Sequence, residues 1–220
     1  IGVGRLIGPE LGRYNQMASA EFEIDDPDFY RIEGVNETNN FNMFTESSSL
    51  KSFTSIIPGS TFDLYKALGI SRSVNSAPDY SYYAFRALTR VKYLMIPKDM
   101  NATKRSDALD DLEIYQYFDT QGEYDLYKTD YALPMGFAYD TYFPLESVKG
   151  ANYADKLMVR SVFLTDEQLD KYGDILAKDK TDFVYSKSQF LLDAKNKIKN
   201  VVIQFSVTKP AFPPKPPFPP

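Results

Sequence analysis

The pattern of apolar and polar positions along the chain predicts short strands and helices in mixed order. Residues 90–97, "RVKYLMIP", have a largely apolar centre and end at a proline, which is typical of a buried strand. Residues 28–34, "DFYRIEG", alternate in a way that favours a second strand, with Phe29 and Arg31 on one face. Neither strand is long, so we expect a small sheet.

Residues 122–144, "GEYDLYKTDYALPMGFAYDTYFP", are unusually rich in tyrosine and phenylalanine. Aromatic residues alternating with polar ones suit a half-buried sheet surface, where cross-strand aromatic pairs add stability. We therefore predict two extended runs that pair with each other, with Pro134 and Gly136 at the turn between them. Substitution of Gly136 by valine should then be destabilising, because the turn would need positive φ or close backbone contact there.

Several helices are predicted from end signals. Thr165 and Gln168 form a capping box for residues 166–176, and Ser60 and Asp63 form a weaker one for a helix that Gly69 closes. We also predict a helix that starts at Pro9, one over residues 80–89 that Asp79 caps, and helices over residues 155–163 and 188–198. A β-branched run at residues 200–208 predicts a last strand.

Helices and strands without strict alternation predict the α+β fold class, a small mixed sheet with short helices packed on it. We divide the chain into a flexible lead-in at 1–9, one domain at 10–207 and a Pro-rich tail at 208–220, which ends in "KPAFPPKPPFPP". The chain begins at Ile1, and we expect it to be part of a longer polypeptide.

Composition narrows the kinds of partner, catalytic group and metal site that the chain can have. Twenty-five basic and thirty acidic residues give a net charge of −5, which argues against a nucleic-acid partner. The chain has no histidine and no cysteine, so catalytic triads, imidazole acid–base chemistry and thiolate metal sites are excluded. No secretory signal and no apolar stretch of transmembrane length is apparent.

The remaining candidates for chemistry are carboxylates and tyrosines. Acidic clusters occur at Asp25, Asp26 and Asp28 and again within residues 107–113, but neither has the spacing of a calcium loop. We interpret them as helix and strand ends or solvated faces, and we predict no metal and no cofactor. Most of the tyrosines are expected to belong to the core rather than to a sugar-binding platform.

Four segments in order resemble the YfhO family of bacterial polytopic membrane proteins. They are "DPDFYRIEG" at 26–34, residues 40–70 ending in "YKALGI", "RALTRVKYLMIP" at 86–97, and "YDLYKTDYALPMGFAYD" at 124–140. The last segment departs from the family pattern, since Lys128, Thr129 and Asp130 stand where an asparagine is common. The resemblance covers about residues 10–175 and fades beyond Tyr172.

The resemblance implies a domain on the extracytoplasmic face of the bacterial cell membrane. The family resembles lipid-linked-sugar glycosyltransferases, so the domain is expected to support glycosylation of an envelope polymer of the teichoic-acid type. The implied partners are the membrane-embedded remainder of the same polypeptide and a lipid-linked sugar or envelope glycan. The family's catalytic carboxylate lies in a region absent from this chain, and we assign no catalytic residue.

Arg31, Lys92 and Tyr93 match recurring positions of the family and are our candidate binding residues. Their alternative role is structural, as a half-buried arginine paired with an acid and as strand residues. Two other functions stay open. A non-catalytic module could bind cell-wall glycan on tyrosines, and a hydrolase could use two carboxylates, although we expect no such activity.

Overall fold

A computed structural model describes the central part of the chain. The described residues are 12, 22–35, 40–43, 45–112, 114–149, 151, 153–180 and 186–200. Four predicted segments lie outside the described residues: the lead-in at 1–9, the helix from Pro9, the last strand at 200–208 and the Pro-rich tail at 208–220. The exceptions are residues 12 and 22–24 of that helix and residue 200 of that strand.

The described residues form nine strands and seven α-helices in mixed order, which confirms the α+β fold class. The strands are β1 (Arg31–Gly34), β2 (Ser52–Phe53), β3 (Asn75–Ser76), β4 (Val91–Pro97), β5 (Gln116–Gln121), β6 (Tyr124–Lys128), β7 (Thr141–Pro144), β8 (Val162–Leu164) and β9 (Ala177–Lys178). The helices are α1 (Gly59–Leu68), α2 (Tyr83–Leu88), α3 (Ala102–Asp111), α4 (Leu145–Val148), α5 (Ala154–Arg160), α6 (Asp166–Tyr172) and α7 (Lys187–Asn200).

The main sheet is mixed and has the strand order β1-β4-β6-β5. Strand β4 is central, parallel to β1 and antiparallel to β6, while β5 and β6 form a hairpin. Both faces of β4 are covered, which explains its nearly continuous apolar sequence. Leu94 and Ile96 face one core and Tyr93 and Met95 face the other.

The larger core lies between one face of this sheet and the helices α2, α3, α5 and α7. Ala87, Leu157 and Phe190 are each 0% exposed there, against Leu94 and Ile96 of β4. The opposite face carries a smaller aromatic core, where Tyr124 and Tyr93 pack with Ile32 and Phe41. The prediction that tyrosines belong to the core is thus confirmed for these two and for Tyr65 and Tyr115, which are also buried.

One buried ion pair joins the main sheet to α2. Glu33 of β1 and Arg86 of α2 are 3% and 0% exposed, and their side chains meet at 2.8 Å. The guanidinium also donates to the carbonyl oxygens of Pro78 and Asp79. Because every strong donor has an acceptor, the pair holds β1, α2 and the preceding turn in one arrangement.

Two smaller sheets complete the described structure. Strands β2 and β3 form an antiparallel pair, and β8, β7 and β9 form a parallel sheet in that order. The two extended runs predicted to pair within residues 122–144 are therefore in different sheets, since β6 pairs with β4 and β5 and β7 pairs with β8 and β9. That strand-pair prediction was wrong.

Gly136, which the sequence analysis placed at that turn, has neither the positive φ nor the close backbone contact expected there. A Cβ at Gly136 would meet no atom within 4 Å, and its φ lies outside the left-handed region. The tight turn of the hairpin is instead at Gly122, between β5 and β6, where φ is +54°. A positive φ at the first loop position is common in two-residue hairpin loops.

The helix-end predictions were right where the signal is local. Thr165 and Gln168 form the predicted capping box at α6, and Gly69 ends α1 with φ of 72°. The box of Ser60 and Asp63 is wrong, because α1 begins at Gly59 after Pro58 and no side chain caps it.

The cap predicted at Asp79 is also wrong. Its carboxylate accepts a hydrogen bond from the N–H of Ser81, one turn too early for α2. The start of α2 is capped instead by the buried Asp155 of α5, whose Oδ2 accepts from the N–H of Phe85 over 3.3 Å. The cap is thus supplied by a residue seventy positions away.

Candidate functional site

A β-bulge brings two of the predicted binding residues to one carboxylate. Arg31 pairs with Val91 and Ile32 pairs with Tyr93, so Lys92 has no partner on β1. The extra residue changes which face the side chains occupy, and Val91 packs in the larger core whereas Tyr93 packs in the aromatic one. The bulge therefore changes the direction of the Lys92 side chain, whose ammonium pairs with Asp26.

Lys92 and Tyr93 both contact Asp26. The Lys92 ammonium lies 2.5 Å from Oδ2 of Asp26, and the Tyr93 hydroxyl donates to the same oxygen over 2.8 Å. The other carboxylate oxygen accepts from the N–H of Asp28 over 3.1 Å. The Asp26 side chain is 5% exposed. The acidic run at 25–28 thus serves to neutralise and position strand residues.

The electrostatics of this group follow from its partners. Burial opposes ionisation of Asp26, but the hydrogen bonds from Lys92, Tyr93 and the Asp28 backbone outweigh it and lower the pKa of the carboxyl. Burial, and then the bond to Asp26, raises the pKa of the Tyr93 phenol. Tyr93 is therefore a neutral donor in this structure, and Asp26 is an anion.

Lys128 lies opposite the same tyrosine in the β4–β6 pairing, and a second bulge lies beside it on β5. In the β5–β6 hairpin Phe118 has no partner, because Tyr117 pairs with Tyr127 and Asp119 pairs with Leu126. The Lys128 ammonium lies 6.0 Å from the centroid of the Tyr93 ring and 5.3 Å from that of Phe118. Ring faces attract cations, so the two aromatics hold this ammonium in place.

Arg90 occupies a strained position between α2 and β4. Its φ is +58°, which costs an arginine about 1 kcal/mol or more. The side chain is 10% exposed, and its Nη2 lies 3.4 Å from Oδ2 of Asp28. Its buried Nε has no hydrogen-bond partner in the described structure. A strained backbone and an unsatisfied donor at one residue are typical of a functional position.

Arg31, the third predicted binding residue, braces the turn that carries Arg90. Its N–H donates to the Arg90 carbonyl oxygen over 2.8 Å, and its guanidinium donates to the Thr89 carbonyl oxygen. The guanidinium also lies over the Phe29 ring, 4.9 Å from the centroid. Burial lowers the pKa of Arg31. Arg31 therefore supports the backbone of the turn that carries Arg90.

Two adjoining pockets of about 420 Å³ each lie beside these residues. Arg90, Lys92 and Lys128 line the first, while Lys128, Lys195 and Lys199 line the second, together with the half-buried Tyr131. Lys128, Asp130 and Ile198 belong to both pockets. We call this surface the basic cleft and define it by Arg90, Lys92, Lys128, Lys195 and Lys199.

The basic cleft has the opposite charge to the chain as a whole. Its two pockets contain five cationic side chains and only two carboxylates, Asp28 and Asp130, whereas the chain carries a net charge of −5. Lys195 and Lys199 are four residues apart on α7 and so lie on one face of that helix. The Lys195 ammonium lies 5.7 Å from the centroid of the Tyr131 ring.

The arrangement is suited to holding an anion. Ammonium and guanidinium groups donate hydrogen bonds to oxyanions, and a concave surface concentrates their field. In the parts of the chain that the structure describes, no three acidic side chains come together as a metal site. Tyr131 adds an aromatic wall and Asp130 an acceptor for hydroxyl groups.

Sequence reasoning found part of this cleft. Lys92 was identified directly, and Tyr93 and Arg31 turn out to support it. Lys128 was noted only as a departure from the family pattern, which was a usable signal. Arg90 was missed because nothing local announces a left-handed arginine, and the lysines of α7 were missed because lysines near a helix C-terminus are common for electrostatic reasons.

Comparison with known protein families identifies a family that the chain matches. The sequence profile of the family described as bacterial membrane protein YfhO matches residues 11–213, further toward the C-terminus than the four segments suggested. No curated protein and no solved structure matches the chain. Within the described ranges, no helix is both long enough and apolar enough to cross a bilayer. Since the matched residues span most of the sequence, the chain belongs to the YfhO family of bacterial membrane proteins.

Proposed function

We propose that this chain is an extracytoplasmic domain of a multi-spanning membrane glycosyltransferase and that it supports glycosylation of a teichoic-acid-type envelope polymer. The domain lies on the outer face of the bacterial cell membrane. The membrane-embedded remainder of the same polypeptide carries the catalytic group, and the basic cleft recognises a reactant. Arg90, Lys92 and Lys128 contact that reactant, while Arg31 and Tyr93 position them.

The observation that carries this proposal is the basic cleft in a member of a membrane protein family. Lipid-linked sugars and teichoic-acid polymers both contain phosphate groups, and cations in a concave surface attract them. Five cationic side chains line the cleft of an otherwise acidic chain. A partly exposed tyrosine beside them supplies the aromatic surface on which sugar rings pack.

The test is made in cells that produce the full-length protein. Teichoic acid is purified from the wild type, from a strain lacking the gene, and from strains with Lys128→Met or with Lys66→Met. Lys66 is an exposed lysine of α1 outside the cleft, so it controls for the loss of one charge. We expect sugar substitution measured by NMR to be absent without the gene, reduced several-fold in Lys128→Met and normal in Lys66→Met.

An unchanged sugar content in the strain without the gene would refute the glycosylation proposal. The second candidate, a non-catalytic module that binds cell-wall glycan, then gains weight, and Tyr131 in the cleft is the observation that favours it. It predicts that Tyr131→Ala weakens binding of purified wall fragments to the chain, while teichoic-acid sugar content stays the same.

A further inference from the structure

We propose that the basic cleft is a binding site for a phosphate ester of a polyol or sugar. The phosphate group lies against Arg90, Lys92 and Lys128, and the attached polyol or sugar occupies the adjoining pocket beside Tyr131 and Asp130. This assignment deepens the proposed function, and its biological role rests on it. The binding itself is a property of the chain alone.

Arg90 is the strongest indication of an oxyanion ligand. Its side chain is 10% exposed, and its Nε is buried without a hydrogen-bond partner in the described structure. The contact of Nη2 with Asp28 is long, at 3.4 Å. A guanidinium presents its donors in a planar fork that matches phosphate, so a phosphate in the first pocket, which Arg90 lines, would accept from its Nη groups.

Lys128 has the features of a second phosphate contact. Its ammonium is held by the rings of Tyr93 and Phe118 and forms no ion pair with a described carboxylate. It lines both pockets, so it stands where a phosphate joined to a second group would lie. Lys92 already forms an ion pair with Asp26, so it contributes a positive charge whose position is fixed.

The second pocket has the size and lining for the organic part of the ligand. About 420 Å³ is within the usual range for small-molecule sites. Tyr131 supplies an aromatic wall, and Asp130 and Gln116 supply acceptors and a donor for hydroxyl groups. Lys195 and Lys199 line the same pocket with positive charge, which disfavours a cationic ligand.

The charge of the whole chain limits the contact to a single phosphate unit and argues against nucleic acid, which needs cations along its length. A net charge of −5 repels anions along most of the surface, so one ester group, free or part of a larger molecule, meets only the cleft. The phosphate could come from a soluble polymer unit or from a lipid headgroup. The two sources share the same contact chemistry.

The experiment titrates the full 220-residue chain, labelled with ¹⁵N, at low ionic strength. The probes are glycerol 3-phosphate, glucose 1-phosphate, inorganic phosphate, glucose, and vesicles containing phosphatidylglycerol. We expect amide shifts centred on residues 90–92, 128–131 and 195–199, and tighter binding of the two esters than of inorganic phosphate or glucose. Addition of salt should weaken the esters' binding several-fold, since the cleft is open to solvent.

Two cleft variants and one control sharpen the test. Arg90→Gly removes the guanidinium at a position whose φ of +58° suits glycine, so its unfolding midpoint should equal or exceed that of the wild type. Lys128→Met keeps the aliphatic stem between the two rings. Each should weaken ester binding about tenfold, the size of one charged hydrogen bond, whereas Lys66→Met should leave it unchanged.

Every outcome bears on the proposal. Ester binding that Lys66→Met weakens as much as Lys128→Met would overturn it, as would no binding of any phosphate probe. Binding only to phosphatidylglycerol vesicles supports it and identifies the lipid headgroup as the source, provided that Lys128→Met abolishes it. Ester binding with normal teichoic-acid sugar in Lys128→Met cells would leave this site standing and refute its part in glycosylation. Reduced sugar in those cells without ester binding would refute the ester site and leave the glycosylation proposal standing.

Discussion

At the scale of single residues, the carboxylate of Asp26 organises the wall of the basic cleft. Its two oxygens accept from Lys92, from Tyr93 and from the backbone of Asp28, while its side chain is almost entirely buried. A buried group with several charged or hydroxyl donors is costly to change, because each donor loses its acceptor. The position of Lys92 therefore depends on this one side chain.

Asp26→Asn should lower the free energy of unfolding at pH 7 by about 1–3 kcal/mol, because the Lys92 ammonium would lose its counter-charge while remaining mostly buried. Urea denaturation measures the change. Asp107→Asn, an exposed change on α3, is the matched control and should stay within about 0.5 kcal/mol of the wild type. An Asp26→Asn variant as stable as the control would contradict the role given to this carboxylate.

The same group predicts a pH dependence. The pKa of Asp26 is lowered from its ordinary value of 3.8, so the folded chain favours the ionised form. Its contribution is complete above the unfolded pKa and is lost as the pH falls through the folded pKa. The stability difference between the wild type and Asp26→Asn should thus shrink as the pH falls from about 5 to below 3. A difference that stays constant over this window would argue that the charge is irrelevant.

At the scale of elements, the β5–β6 hairpin depends on one glycine. Gly122 has φ of +54°, and a Cβ there would meet no neighbouring atom, so the cost of a side chain is a backbone cost alone. Gly122→Ala should destabilise the chain by about 1 kcal/mol. Gly136→Ala is the control and should be within about 0.5 kcal/mol of the wild type, since Gly136 has ordinary φ and open space. Chemical denaturation measures the stability of both variants. A Gly136→Ala variant that is less stable than Gly122→Ala would favour the turn that the sequence analysis placed at Gly136.

The junction of α5 with α2 depends on Asp155. Its side chain is buried, and Oδ2 accepts from the backbone N–H of Phe85. Asp155→Ala should cost about 1–3 kcal/mol in thermal or urea unfolding, because that donor would be buried without an acceptor. Asp110→Ala, at an exposed position of α3, should change little.

Asp155 also predicts a pH trend opposite to that of Asp26. Burial raises the pKa of this carboxyl, so the folded chain favours its protonated form. The contribution of this carboxyl to stability should fall as the pH rises from about 4, whereas an asparagine at that position does not titrate. The stability of Asp155→Asn relative to the wild type should therefore increase over that range. A relative stability that decreases instead would mean that the charged form is the preferred one.

How far the sequence predicted each element depended on the distance between the interacting residues. The capping box of Thr165 and Gln168 and the end of α1 at Gly69 involve residues within one turn, and both were predicted correctly. The cap at Asp155, the bond between Asp26 and Lys92 and the partners of β6 join residues far apart, and no local pattern encodes them. Lys92 of the cleft and Tyr93 beside it could be identified by family pattern, but the buried Arg90 could not.

At the scale of the whole molecule, the proposed extracytoplasmic location has a direct test, because this chain contains no cysteine. A cysteine is placed at exposed Ser106 of α3 in the full-length protein, with any cysteine outside these residues replaced. A membrane-impermeant maleimide should label intact cells carrying Ser106→Cys. Ala87→Cys, in the buried core, should react only after denaturation. Labelling of Ser106→Cys that requires cell lysis would place the chain on the other side.

The bulge at Phe118 has a consequence for encounters between copies of this chain. Among the described residues, β5 is an outer strand of the main sheet with β6 as its one neighbour, and such a strand is a template for self-association. Its regular hydrogen-bonding pattern is interrupted by the bulge at Phe118, and a bulge bends a strand and increases its twist. A second copy would have to pair across that interruption. We therefore expect the irregularity that brings Phe118 to Lys128 also to disfavour edge-to-edge pairing between crowded molecules.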